Sequence, residues 1–261
     1  MLRFFHSPYP TFGSYKNPTH WKIEASPYYW WWYALTLNDD YAALCEQKAA
    51  NTVLDTTDAR MLQVYADFGD TRYEGCRYRA FTDWWRERVN TTETRGVYLF
   101  AEPPHTASVS VVQHVDEAAA ALDSEDTVLI AVNVTRQRKH IDTKIDRILK
   151  KHMGELKRGR QVRNPKLSAA RYSLSKAVQA QALKKTFAVY DIRTAAAAEG
   201  RRISNSEVAK LAKLDYQQRE KTDEAALEGA DERRVVSAIV ARHWKQANTM
   251  IENAAVGAFP R

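Results

Sequence analysis

The stretch SPYYWWWYALTLNDDYAAL, residues 26–44, sets six aromatic side chains in a row, from Tyr28 to Tyr33. A helix or a strand lying on a core buries one face of such a run, so the other rings need a second destination. Three are open: a second layer of core, a partner protein, or stacked bases. Core packing with an exposed remainder accounts for the run best. Trp30 and Tyr33 then pair on one side with Leu37, while Trp31 and Trp32 meet Trp84 and Trp85 or a partner chain. Because aromatics concentrate at interface hot spots, Trp30, Trp31 and Trp32 are candidate partner-interface residues, for a homodimer or another protein. Base stacking has the least support, since the nearest cations, Lys16, Lys22 and Lys48, are sparse.

Outward from this run the pattern is helical. Asn38 or Asp39 caps a helix carrying Tyr41, Leu44 and Cys45. Spacing predicts further helices over 57–66 (Met61, Leu62, Tyr65) and 80–89 (Phe81, Trp84, Trp85, Val89). The first 27 residues, with Pro8, Pro10, Pro18 and Pro27, read as an extended arm. Three stretches rich in β-branched residues read as strands: GVYLFAE (96–102), ASVSVVQ (107–113) and DTVLIAVNV (126–134). RQRKHIDTKIDRILKKHM then returns to helix, with Ile141, Ile145, Ile148 and Leu149 on one side and cations on the other. Residues 154–175 form a basic linker, and helices follow over 177–198, 204–213 and 231–255. The expected fold class is α+β. An aromatic-rich α/β part with a small mixed sheet and a basic helix (1–153) and the linker (154–175) precede an all-α region (176–261).

Charge is distributed unevenly. The net charge is +7, yet residues 136–171 alone carry thirteen Lys or Arg against three acids, while the rest of the chain has 26 bases and 29 acids. Clustered cations of this kind release counterions from a phosphate backbone. Arg136, Arg138, Lys139, Lys150, Lys151, Lys157, Arg158, Arg160 and Arg163 are therefore candidate nucleic-acid contacts. No apolar run reaches membrane-spanning length and no signal peptide is evident. The two cysteines, Cys45 and Cys76, lack metal or disulfide spacing and read as reduced, buried thiols of a cytoplasmic protein.

The C-terminal third resembles a DNA-reading motif. RISNSEVAKLAKL (202–214) looks like the opening helix of a helix-turn-helix, with Ser204 or Ser206 as cap and Val208 and Leu211 inward. ADERRVVSAIVARHWKQANTMIENA (230–254) looks like its recognition helix. One face holds Val235, Val236, Ile239, Val240, Ala247, Met250 and Ile251. The other carries Arg234, Ser237, Arg242, Lys245 and Asn248, with Ala238 and Ala241 between them, a mixture suited to base edges and phosphates. Helix-turn-helix motifs join their helices by a few residues, whereas DYQQREKTDEAALEGA intervenes here. The whole arrangement, with YWWWYALTLNDDY in front and MIENAAVGAFP at the end, is similar to regulator-like proteins of phages and bacterial mobile elements. That resemblance implies sequence-specific DNA binding and transcription regulation but assigns no residue roles; the helix-turn-helix resemblance is what puts Arg234, Ser237, Arg242, Lys245 and Asn248 forward as contacts.

Catalytic patterns are thin. The seven histidines are scattered, and no GxxxxGK[ST], GxGxxG, HExxH or GxSxG occurs. Asp67, Asp70 and Glu74 are the carboxylates most able to gather a metal for phosphodiester hydrolysis. Tyr172 beside Arg171 is a candidate strand-transfer nucleophile without evident partners. The expectation is no enzyme, no cofactor, no metal and no membrane, with DNA as partner and RNA as the alternative. The rival readings are an assembly protein that holds nucleic acid non-specifically and a metal nuclease.

Overall fold

Ser26 and Pro27 start the helix that organises the protein: Pro27 is its first helical residue, where the fixed φ of proline is already helical and no N–H is missed. The computed structural model describes residues 5–14, 19–52, 58–102, 111–122, 128–153, 168–215 and 225–261. Among them are α1 (His20–Glu24), α2 (Pro27–Thr36), α3 (Asp39–Ala49), α4 (Ala59–Phe68), α5 (Arg77–Arg86), α6 (Arg95–Phe100), α7 (Val115–Leu122), α8 (Arg138–Met153), α9 (Ala180–Ala198), α10 (Asn205–Leu211) and α11 (Ala225–Ala255). Two units result: Met1–Pro104 together with Arg163–Arg261, and His105–Val162.

In the first unit every residue of α2 from Pro27 to Leu35 is buried. A helix that is apolar all round must lie inside. Each residue turns the next ring by about 100°, so successive rings meet different elements. Tyr28 stacks on Phe100 of α6 at 4.5 Å, and Tyr29 meets Phe81 of α5 edge-on at 5.3 Å. Trp30 stacks on Phe187 of α9 at 5.4 Å, and Trp31 on Phe259 near the C-terminus at 5.5 Å. Trp32 reaches Phe81 at 5.4 Å and Trp84 at 6.3 Å. The polar ends are served unequally. Trp30 Nε1 donates to Glu24 O at 2.9 Å and Tyr33 Oη to Asp191 Oδ1 at 2.7 Å, whereas Tyr29 Oη, Trp31 Nε1 and Trp32 Nε1 find no partner among the described residues.

Local signals set the helix ends. Asn38 Oδ1 accepts from Tyr41 N at 2.8 Å, Asp58 Oδ1 from Arg60 N at 2.8 Å, and Ser204 Oγ from Glu207 N at 3.2 Å. Gly96 lets α6 lie against Trp85, whose ring atoms would stand 2.1–2.6 Å from any Cβ there. Glu102 fastens the point where the chain leaves this unit to the point where it returns. Its Oε1 lies 2.8 Å from His6 Nδ1 and accepts from Ser168 Oγ, while Oε2 accepts from Ala169 N at 2.8 Å.

A second, smaller core lies in the same unit, where Val189 of α9, Val208 and Ala209 of α10, Ala212 and Leu214 after it, and Val236 and Val240 of α11 pack together.

The expected α+β fold is corrected. The described residues hold helices and two isolated bridges, Phe5 with Ala101 and Arg88 with Thr94, and no sheet. Residues 95–100 of the expected first strand are α6. Of the second, 107–110 lie outside the described residues; 111–113, and 128–134 of the third, have no ladder partner. The aromatic front is not separate from the helical end, since Phe187, Met250, Ile251 and Phe259 share its core. The division 1–153, 154–175 and 176–261 therefore gives way to a body built from both chain ends. Nor is the N-terminal stretch only an arm: Phe5, Phe12 and Ile23 are buried and Tyr9 meets Trp85 edge-on at 5.5 Å. Cys45 is buried, which pushes its thiol up to about 12, but Cys76 is exposed.

Candidate nucleic-acid interface

The second unit contains α7 and α8. Ile141, Ile145, Ile148 and Leu149 recur at helical spacing and are half-exposed, while Arg136, Arg138, Lys139, Lys144, Arg147, Lys150 and Lys151 are all exposed. Arg138 faces Asp142 one turn on, at 3.7 Å. Lys139, Lys144, Arg147, Lys150 and Lys151 have no carboxylate partner among the described residues. Lys157, Arg158, Arg160 and Arg163 lie outside them.

In the first unit α11 offers the other expected surface. Val236, Val240, Ala247, Met250 and Ile251 are buried, and Arg234, Ala238, Ala241, Arg242 and Lys245 are exposed. Ser237 and Asn248 are half-buried, and Asn248 Nδ2 donates to Trp244 O at 2.8 Å, so its amide is partly engaged. Two details differ from expectation. Val235 is 53% exposed rather than inward. The helix starts at Ala225, which puts Arg234 some two and a half turns inside it rather than near its beginning. Trp244 stacks on Tyr190 at 5.3 Å beneath Arg193, and His243 Nδ1 lies 2.9 Å from Thr186 Oγ1. Burial first, then Arg242 and Lys185, lower the His243 pKa and favour the neutral ring.

Of the three carboxylates singled out for metal binding, Asp67 and Asp70 are occupied otherwise and Glu74 is exposed. Asp67 is 5% exposed; its Oδ1 meets Arg171 at 2.8 Å, and its Oδ2 accepts from Tyr172 Oη at 2.8 Å and Gln63 Nε2 at 3.0 Å. Burial opposes the charged form of Asp67, but the bonds from Arg171, Gln63 and Tyr172 outweigh it and lower the pKa. Asp70 is paired with Arg72 at 2.7 Å. No three potential ligands gather among the described residues. Burial, followed by the bond to Asp67, raises the Tyr172 pKa, the reverse of what activates a nucleophile. Beside Asp67 is a cavity of about 510 Å³ with Arg88, Asn90, Arg95 and Tyr98 in its wall. Arg95 is held by Glu87 at 2.8 Å and by the Asp67 carbonyl at 2.8 Å.

No family model, curated protein or solved structure matches this chain.

The rings proposed for a partner surface have none to offer. Trp30, Trp31 and Trp32 are exposed by 2%, 0% and 1%, so their energy goes into the core. Sequence reasoning passed over Trp21, which is 68% exposed beside a second cavity of about 340 Å³. Its signal was within reach: in HWKIE, Ile23 is the apolar anchor of a one-turn helix, and Trp21 two positions earlier falls on another face. No helix among the described residues is long and apolar enough to cross a membrane.

Proposed function

We propose that this protein binds nucleic acid, DNA in the first instance, with α8 holding the phosphate backbone and the outer face of α11 reading base edges as a transcriptional regulator would. The observation that carries the reading is α8 itself: its exposed ammonium and guanidinium groups outnumber its two acids, Asp142 and Asp146, and most have no carboxylate partner among the described residues. A row of solvated cations pays little desolvation on meeting a polyanion and gains the entropy of released counterions. On α11 the alternation of alanines with Arg234, Arg242 and Lys245 leaves room for close approach by a groove wall.

Salt-dependent binding to a duplex tests the first half. Replacing Lys139, Lys144, Lys150 and Lys151 by alanine should weaken all duplex sequences alike. It should also flatten the log–log salt slope by about 0.9 for each phosphate that is no longer neutralised. An unchanged slope would leave α8 as ordinary solvated surface. Selection from random duplexes tests the second half. Arg234→Ala should relax preference at one position by about 1–3 kcal/mol, while Lys245→Ala weakens every sequence evenly. Retention without enrichment would instead favour non-specific holding of nucleic acid in an assembly.

A further inference from the structure

We propose that the cavity beside Trp21 is a stacking subsite for a single unpaired nucleobase, an inference that rests on the nucleic-acid reading above and extends it from duplex to single strand. The cavity is walled by Trp21, Glu24, Gln179, Gln181 and Lys184, with two alanines between them, and its volume of about 340 Å³ is at the small end of ligand pockets. Of the seven tryptophans Trp21 alone is exposed; five are buried and Trp244 is half-covered. The fold holds the last two residues of α1 inward, since Ile23 is fully buried and Glu24 is 8% exposed, while His20 is exposed and Lys22 half-buried. Trp21 is left outside with its indole next to polar groups.

Those groups match what a base presents. A base offers a flat π face and an edge of alternating donors and acceptors. The indole supplies a stacking face, and each carboxamide supplies both a donor and an acceptor. Gln179 and Gln181 are exposed, and their amides make no hydrogen bond among the described residues.

Electrostatics do not oppose an anionic strand here, because Glu24 is already neutralised. Lys184 Nζ lies 2.6 Å from its Oε2, Tyr78 Oη donates to its Oε1 at 2.5 Å, and Arg77 stands 4.0 Å away. Lys22 is then the surplus charge at the indole: its Nζ lies over one face of the Trp21 ring, 5.2 Å from the centroid, so a base stacks on the other face or displaces the ammonium toward its phosphate. Within a duplex each base is covered on both faces by its neighbours, so only an unpaired or extruded base can use the ring.

The test uses the 261-residue chain with three probes: a labelled single-stranded 12-mer of mixed sequence, the same sequence as duplex, and adenosine 5′-monophosphate. Trp21→Ala should weaken single-strand binding about 5- to 150-fold and leave duplex binding unchanged. Trp21→Tyr should recover most of the loss, and Gln179→Ala with Gln181→Ala should give a smaller one. Indole quenching by the single strand should be present in the wild type and absent in Trp21→Tyr. Wild-type single-strand affinity in Trp21→Ala, with duplex binding intact, would overturn the subsite and leave the nucleic-acid reading standing. Binding of none of the three probes by the wild type would overturn both. Tighter quenching by the mononucleotide than by the strand would overturn the strand as the source of the base.

Discussion

Helices α2 and α8 put opposite demands on their surroundings. In α2 every side chain from Pro27 to Leu35 is buried and each aromatic ring meets a different set of neighbours, whereas no described side chain of α8 is buried. The difference separates stability from charge. The aromatic helix concentrates packing contributed by both chain ends, so a change there is felt by the whole first unit. The basic helix concentrates cations where no buried packing depends on them. Side chains of α8 can therefore be altered by mutation without risking the fold, and those of α2 cannot.

The sharpest way to break this comparison is a pair of truncations. Trp31→Ala, which removes the ring that meets Phe68, Phe100, Tyr172 and Phe259, should cost about 3–5 kcal/mol in urea unfolding. Ile145→Ala on α8 should cost less than about 1 kcal/mol, since its side chain is half-exposed. Equal losses would mean that the two helices are not so different. The next effect is steric. Gly96→Ala would ordinarily gain about 1 kcal/mol of helix propensity, but the Trp85 ring occupies that space. A net loss of about 1–3 kcal/mol is expected, reduced when Trp85 is shortened to Leu in the same chain. A stabilised Gly96→Ala would show that α6 does not lie on that ring.

The smallest effect is on the acid side. The folded-state pKa of Asp67 lies below its unfolded value of about 3.9, so its contribution is complete above that pH and is lost as pH falls through the folded value. Asp67→Asn should flatten the fall in stability below about pH 4. Asp142→Asn, in the exposed pair with Arg138 on α8, should leave the curve where it was. Two superimposable acid curves for wild type and Asp67→Asn would remove Asp67 as a stabilising anion.

Much of the helical content was legible, because caps and spacing act locally. Asn38 and Ser204 were readable as caps, and the inward face of α11 was readable from Val236, Val240, Ala247, Met250 and Ile251. The sheet was misread for a physical reason. GVYLF is a short apolar run, and such a run has no period that distinguishes strand from helix. Its state is set by Trp85 and Phe68 packing onto Gly96 and Phe100. The aromatic run misled in the same way. Polar residues on one face would have announced a surface, and uniform apolarity announces only burial, with the covering groups as distant as Phe187 and Phe259. As to the candidate interface, the cations of α8 could be read from composition, and the spacing of Trp21 from Ile23 in HWKIE hinted at an outward ring, but the full burial of Trp31 depends on the tertiary arrangement.

The hydrogen bonds of Glu102 have one more consequence. Because the Glu102 carboxylate reaches His6, the Ser168 hydroxyl and the Ala169 N–H, the residues on either side of segment 105–162 are stapled to each other within the aromatic body. To that body the segment is a plug-in cartridge on two adjacent pins. Exchanging it for a short glycine–serine bridge would leave every ring of the core in place. Each halving of the intervening chain would also ease closure of the staple by about 0.6 kcal/mol. A lineage could lengthen, swap or discard residues 105–162 at little structural risk, while the aromatic core of the first unit stayed as it is.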